Sequence, residues 1–145
     1  MADDGYTLTA PDDGNGSWTY RHEASQCGLK FWQGSLTGFD TSKGDQSLSD
    51  QVLANVFGAA EADVTPHAQT VALPTLGGGG GTASARAVPG SGSDGAVYLV
   101  VARGFGAMSS GLTLTIDCPG EVDPTVVYDE VSERGFSLFV HPLFD

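Results

Sequence analysis

Apolar and polar positions alternate with a period that changes several times along this 145-residue chain, and the changes mark out its elements. Tyr6-Thr7-Leu8-Thr9-Ala10 and Trp18-Thr19-Tyr20-Arg21-His22 both repeat every two residues, as half-buried strands do. Between them Pro11-Asp12-Asp13-Gly14-Asn15-Gly16-Ser17 is dense in turn residues, so the three segments predict a β-hairpin. A further strand is expected from Cys27 to about Thr37. Its alternation puts Leu29, Phe31 and Gln33 on one face and Lys30, Trp32 and Gly34 on the other. From Ser47 the period lengthens. Leu48, Val52, Leu53, Val56 and Phe57 form one helical stripe, with Ser47 as cap, Asp50 giving a near capping box and Gly58 as the stop.

Val71 to Leu73 reads as a short strand. Gly77 to Gly81 and the run Pro89-Gly90-Ser91-Gly92-Ser93-Asp94-Gly95 give little side chain to pack, and predict a flexible surface loop over about 77–95. Ala96 to Ala102 is nearly all apolar, the signature of a strand buried on both faces. After a turn over Gly104 to Gly111, Leu112 to Asp117 alternates again and is expected to pair antiparallel with it. Two readings stay open from Asp123-Pro124. A helix with a cap and a first-turn proline is preferred; a hairpin turning at Ser132 to Gly135 is the other. Phe136 to Val140 reads as a strand in both. Together these elements predict a single α+β domain over 1–145, a predominantly antiparallel sheet with one or two helices.

Cysteine usage adds a long-range constraint. Cys27 and Cys118 are the only cysteines, each at the edge of a predicted strand, with no CxxC spacing. They are expected to form one disulfide, which places the chain outside the reducing cytosol, extracellular or at a cell surface. The segment Met1-Ala2-Asp3-Asp4-Gly5 is not a signal peptide, so the sequence is expected to be a mature segment freed of its export signal. The alternative is a cytosolic protein with two free thiols. No apolar run is long enough to span a membrane, although a lipid anchor could lie outside this sequence.

Charge narrows the partners. Only 17% of residues are charged, with 18 acids against 6 scattered bases and a net charge of −12. Nucleic acid and anionic lipid both demand clustered bases and are disfavoured. The acidity itself speaks to solubility.

Catalytic and metal motifs are approached and missed. Gly77 to Gly81 runs into Thr82-Ala83, where a phosphate-binding loop needs Lys followed by Ser or Thr. His22-Glu23 opens an HExxH pattern that Gln26 breaks, and His22, His67 and His141 are dispersed. Ala107-Met108-Ser109-Ser110-Gly111 approximates a nucleophile elbow, but a strand follows where a helix is required. Asp12 to Ser17 clusters oxygen ligands, yet a calcium loop begun at Asp13 would end on Ala24. Asp40, Asp45 and Asp50 show no ligand spacing. The sequence therefore assigns no catalytic residue, metal or cofactor. Trp18, Tyr20 and Trp32 make a candidate binding patch, against the simpler alternative that these rings fill the core.

The order of elements resembles the PsbP/Mog1-like arrangement of actinobacterial cell-envelope lipoproteins. Three features carry the resemblance: Phe31-Trp32-Gln33-Gly34 leading into the helix from Ser47 to Phe57, the buried strand Ala96 to Ala102 followed by its partner, and the Asp123-Pro124 helix start. The chain departs from that arrangement in its glycine-rich middle and its strand-like end, and no functional residue carries over. The expectation is a non-catalytic exported domain, secreted or lipid-anchored, that binds a protein or envelope component. A hydrolase with a carboxylate or histidine site, and a structural subunit of an extracellular assembly or virion, are the alternatives.

Overall fold

Strand pairing between the alternating segments builds one sheet. The computed structural model describes residues 6–10, 16–74, 82–92 and 94–134. Seven strands are β1 (Tyr6–Ala10), β2 (Ser17–His22), β3 (Cys27–Ser35), β4 (Gln69–Pro74), β5 (Thr82–Ser91), β6 (Val97–Phe105) and β7 (Ser110–Cys118). They lie in the order β1-β2-β3-β7-β6-β5-β4, every neighbouring pair antiparallel. The described residues also form three α-helices: α1 (Asp45–Phe57) and the single turn α2 (Glu61–Val64) between β3 and β4, and α3 (Pro124–Arg134) after β7. This is the expected α+β class, and no helix among the described residues is long and apolar enough to cross a membrane.

The sheet is covered on both faces, which explains the apolar run in β6. Leu99 and Val101 enter a core with Leu29, Phe31, Leu114 and the α3 residues Val127 and Val131. Val100 and Ala102, pointing the other way, pack with Leu48, Val52 and Leu53 of α1. The disulfide Cys27–Cys118 closes 91 residues of chain. It continues the register that places Gly28 against Asp117, so it clamps the ends of two neighbouring strands.

Four local expectations are corrected. α1 begins at Asp45, not Ser47; Gly44 occupies the cap position and no side chain caps the helix. The Ser47 hydroxyl instead donates to Glu61, and Asp50 turns inward to Arg86. The far end of the α1 stripe is also less buried than its period implies, with Val56 45% and Phe57 37% exposed. Gly58 stops the helix in the left-handed region as expected, at φ 65°. Residues 82–91, placed by composition in a loop over 77–95, form β5. Its proline is tolerated because residues 88–91 pair with β6 alone, beyond the end of β4. Of the two C-terminal readings the helix forms, with the Asp123 carboxylate accepting the Thr125 N–H. The strand expected at Phe136 to Val140 lies outside the described residues.

Candidate ligand-binding cleft

Alternation, register and three glycines together shape a cleft on the α1 face of the sheet. The register sets Trp32 of β3 beside Thr113 of β7 and Lys30 beside Thr115, with Ser17 of β2 across from Trp32. Gly34, Gly111 and Gly104 lie directly opposite one another on β3, β7 and β6. Their missing side chains leave a shallow trough across three strands. Large neighbours fill it: the Trp32 ring lies against Gly34, Leu36 against Gly111 and Leu48 against Gly104. A Cβ on Gly34 would come within 2.7 Å of the Trp32 ring, and one on Gly104 within 2.4 Å of Leu48. Glycine at these points decides how closely α1 and the indole approach the sheet.

α1 packs over β6, β5 and part of β7, leaving β3 and β2 open beside it. The space between helix and open strands has a volume of about 380 Å³, the size of a small-molecule site. Trp32, Lys30, Thr113, Thr115 and Ser17 form its floor. Leu36 and Phe39, from the segment after β3, and Val52, Asn55 and Val56 of α1 form its wall. The side chains of Ser17, Lys30, Asn55, Thr113 and Thr115 have no hydrogen-bond or ion-pair partner among the described residues. Ser35, at the same rim, is already committed to Thr37. Lys30 is the one charged residue among the described residues of the lining, in a chain with 18 acids.

The aromatic residues singled out in the sequence do not form one patch. Trp18 and Tyr20 lie on the opposite face, where Trp18 stacks on Phe31 at 6.1 Å and Tyr20 meets the same ring edge-on at 5.9 Å. Trp32 alone faces the cleft. Cys27 and Cys118 are buried in their disulfide, close to a second polar cluster. There His22 Nδ1 lies 2.5 Å from the Ser25 hydroxyl, and Nε2 lies 3.2 Å from Glu130 of α3. A hydroxyl, an imidazole and a carboxylate in line have the order of a nucleophilic relay. The two amides that follow Ser25 are spent in closing the turn, however. Gln26 N–H donates to the His22 carbonyl and Cys27 N–H to the Ser25 hydroxyl itself. An oxyanion beside Ser25 would find neither of them free.

The other candidates have structural employment. The three aspartates without ligand spacing take different partners. Asp50 holds Arg86 at 2.8 Å, Asp45 holds Arg103 at 2.7 Å, and Asp40 accepts the Ser42 hydroxyl and N–H. The Ser42 hydroxyl bond, above all, keeps the Asp40 carboxyl below its ordinary pKa; a Thr7 hydroxyl does the same for Glu23. Ser109 takes a left-handed turn and Ser110 opens β7, so the elbow-like motif leads into a strand. His67 is exposed on a 3-10 turn. His141 and Asp12 to Asn15 lie outside the described residues.

No protein-family model matches the chain, and no curated protein or solved structure matches it. The cleft therefore stands on its own geometry. Sequence reasoning placed Lys30 and Trp32 on one face of one strand. It did not reach Thr113, Thr115 or Asn55, because their convergence depends on β3 pairing with β7 and on where α1 crosses the sheet. The faint signal was the polar half of the β7 alternation, Thr113 and Thr115, set between Leu112, Leu114 and Ile116.

Proposed function

We propose that this chain is a non-catalytic, exported domain of a bacterial cell envelope, secreted or lipid-anchored, that binds an envelope component in the cleft beside Trp32. The observation that carries the reading is the set of unspent hydrogen-bonding side chains converging on an aromatic-floored space of about 380 Å³. Unpaired polar groups set among apolar ones are how small-molecule sites fix orientation while burying surface. Lys30 is the sole titratable side chain among the described residues of the lining, which favours hydrogen bonding over acid–base exchange. The disulfide supports export, because such bridges persist in oxidising compartments. The PsbP/Mog1-like order of elements belongs to the same proposal.

The test is a titration of the isotopically labelled protein with small molecules released from a bacterial envelope, followed by amide chemical shifts. Shifts are expected at Trp32, Asn55, Thr113 and Thr115, and are expected to vanish in Trp32→Ala. Shifts confined to α3, or no shifts at all, would count against the cleft.

A second reading, a hydrolase, has the His22, Ser25 and Glu130 cluster on its side. Activated-ester turnover abolished by Ser25→Ala, with labelling of Ser25 by a fluorophosphonate, would establish it. Intact turnover in Ser25→Ala would remove it.

A further inference from the structure

We infer that the ligand of the cleft is a small amphipathic anion: an apolar, preferably aromatic body carrying one carboxylate or sulfonate-like group. The inference rests on the cleft being the binding site and adds the ligand's chemical class. Three observations carry it. The apolar part of the lining is continuous: the indole of Trp32 forms the floor, and Leu36, Phe39, Val52 and Val56 rise beside it. A flat apolar body fits there, and stacking on the indole favours an aromatic one.

The charge distribution then fixes the sign of the polar end. The chain carries a net charge of −12, and acidic side chains are its commonest charged groups by three to one. Among the described residues none of them lines this cleft, whereas Lys30 does. Lys30 is solvent-exposed and has no carboxylate partner among the described residues, unlike Arg21, Arg86 and Arg103, each of which is paired with an acid. An ammonium left unpaired at the rim of an apolar site is free to meet an acidic group without first breaking an ion pair.

Donors around it complete the acid's coordination. Register places Thr115 beside Lys30 and Thr113 beside Trp32, so two hydroxyl-bearing residues share the floor with Lys30. Asn55 of α1 adds an amide from the wall. One cation, two hydroxyls and one amide suit a single anionic group of modest size. A phosphate-rich polymer would ask for several clustered bases.

The probe is 1-anilinonaphthalene-8-sulfonate, an aromatic anion that fluoresces when removed from water, compared with its neutral relative N-phenyl-1-naphthylamine. The expected result is one sulfonate dye per chain, weakened by about tenfold in Lys30→Met, the effect of losing one charge-assisted hydrogen bond. Added salt weakens the sulfonate dye, and neither salt nor Lys30→Met changes binding of the neutral dye. Thr115→Val weakens the sulfonate dye in the same direction. Circular dichroism of each variant confirms the fold, which an exposed lysine does not support. If both dyes bind alike and Lys30→Met changes neither, the anion assignment is overturned while the cleft remains the site. If neither dye binds the folded protein, the cleft itself fails as a binding site, and the proposed function fails with it.

Discussion

Tyr128 shows how one buried group ties stability to pH. Its ring belongs to the core under α3, and its hydroxyl donates to the Ala72 carbonyl of β4 at 2.7 Å. Burial, chiefly, and the nearby Asp129 charge push its pKa far above the ordinary value of 10.0. The folded state therefore holds its proton while the unfolded chain releases one. This contribution is complete below about pH 10 and is lost as the pH rises above it. Tyr128→Phe is expected to be less stable at neutral pH by about 0.5–1.5 kcal/mol, the net value of one hydrogen bond. Its denaturation midpoint should also fall less steeply than that of the wild type between about pH 9 and 11. Urea titrations of both proteins across that range measure each effect.

At the scale of elements, α1 is held to the sheet by ion pairs and hydrogen bonds as well as by its apolar stripe. Asp50, 3% exposed in its side chain, accepts Arg86 Nε on one oxygen and the Thr65 hydroxyl on the other. Arg86 donates onward to Thr70 of β4. Asp45 accepts Arg103 and the Gly106 N–H, and Ser49 accepts the Gly104 N–H. Asp50→Ala leaves a buried guanidinium without its carboxylate and is expected to cost about 3–5 kcal/mol in urea denaturation. The double variant Asp50→Leu/Arg86→Met should recover most of that loss, because it leaves no uncompensated charge. None of this was visible in the helical period. Ser47 and Asp50 have the residue types of a capping box, and tertiary partners drew both away, to Glu61 and Arg86. Gly58, by contrast, was legible, because a left-handed stop is a local backbone requirement that glycine meets on its own.

For the whole molecule, the disulfide joins the two halves of the sheet's order at its centre. β3 carries β2 and β1 on one side, and β7 carries β6, β5 and β4 on the other. Cys27–Cys118 fastens that junction across 91 residues of sequence. Loop-closure entropy for such a span amounts to about 4–5 kcal/mol. Reduction, or Cys27→Ala/Cys118→Ala, is expected to lower Tm by more than about 10 °C in calorimetry with and without reductant.

The sequence by itself determined the elements whose cause is local. Period two fixed β2, β3 and β7, a nearly unbroken apolar run fixed β6, period 3.6 fixed the body of α1, and Asp123-Pro124 fixed the start of α3. It also paired the only two cysteines. Tertiary structure decided what depends on neighbours distant in sequence. β5 became a strand because β6 and β4 supply partners for a segment that looks like loop. Gly34, Gly111 and Gly104 became a trough only once three strands were in register. Lys30, Trp32, Thr113 and Thr115 came together with Asn55 in one cleft only when β3 met β7 and α1, which carries Asn55, left β3 open beside it. Period is a property of consecutive residues, whereas a cleft is a property of which strands pair and in what register.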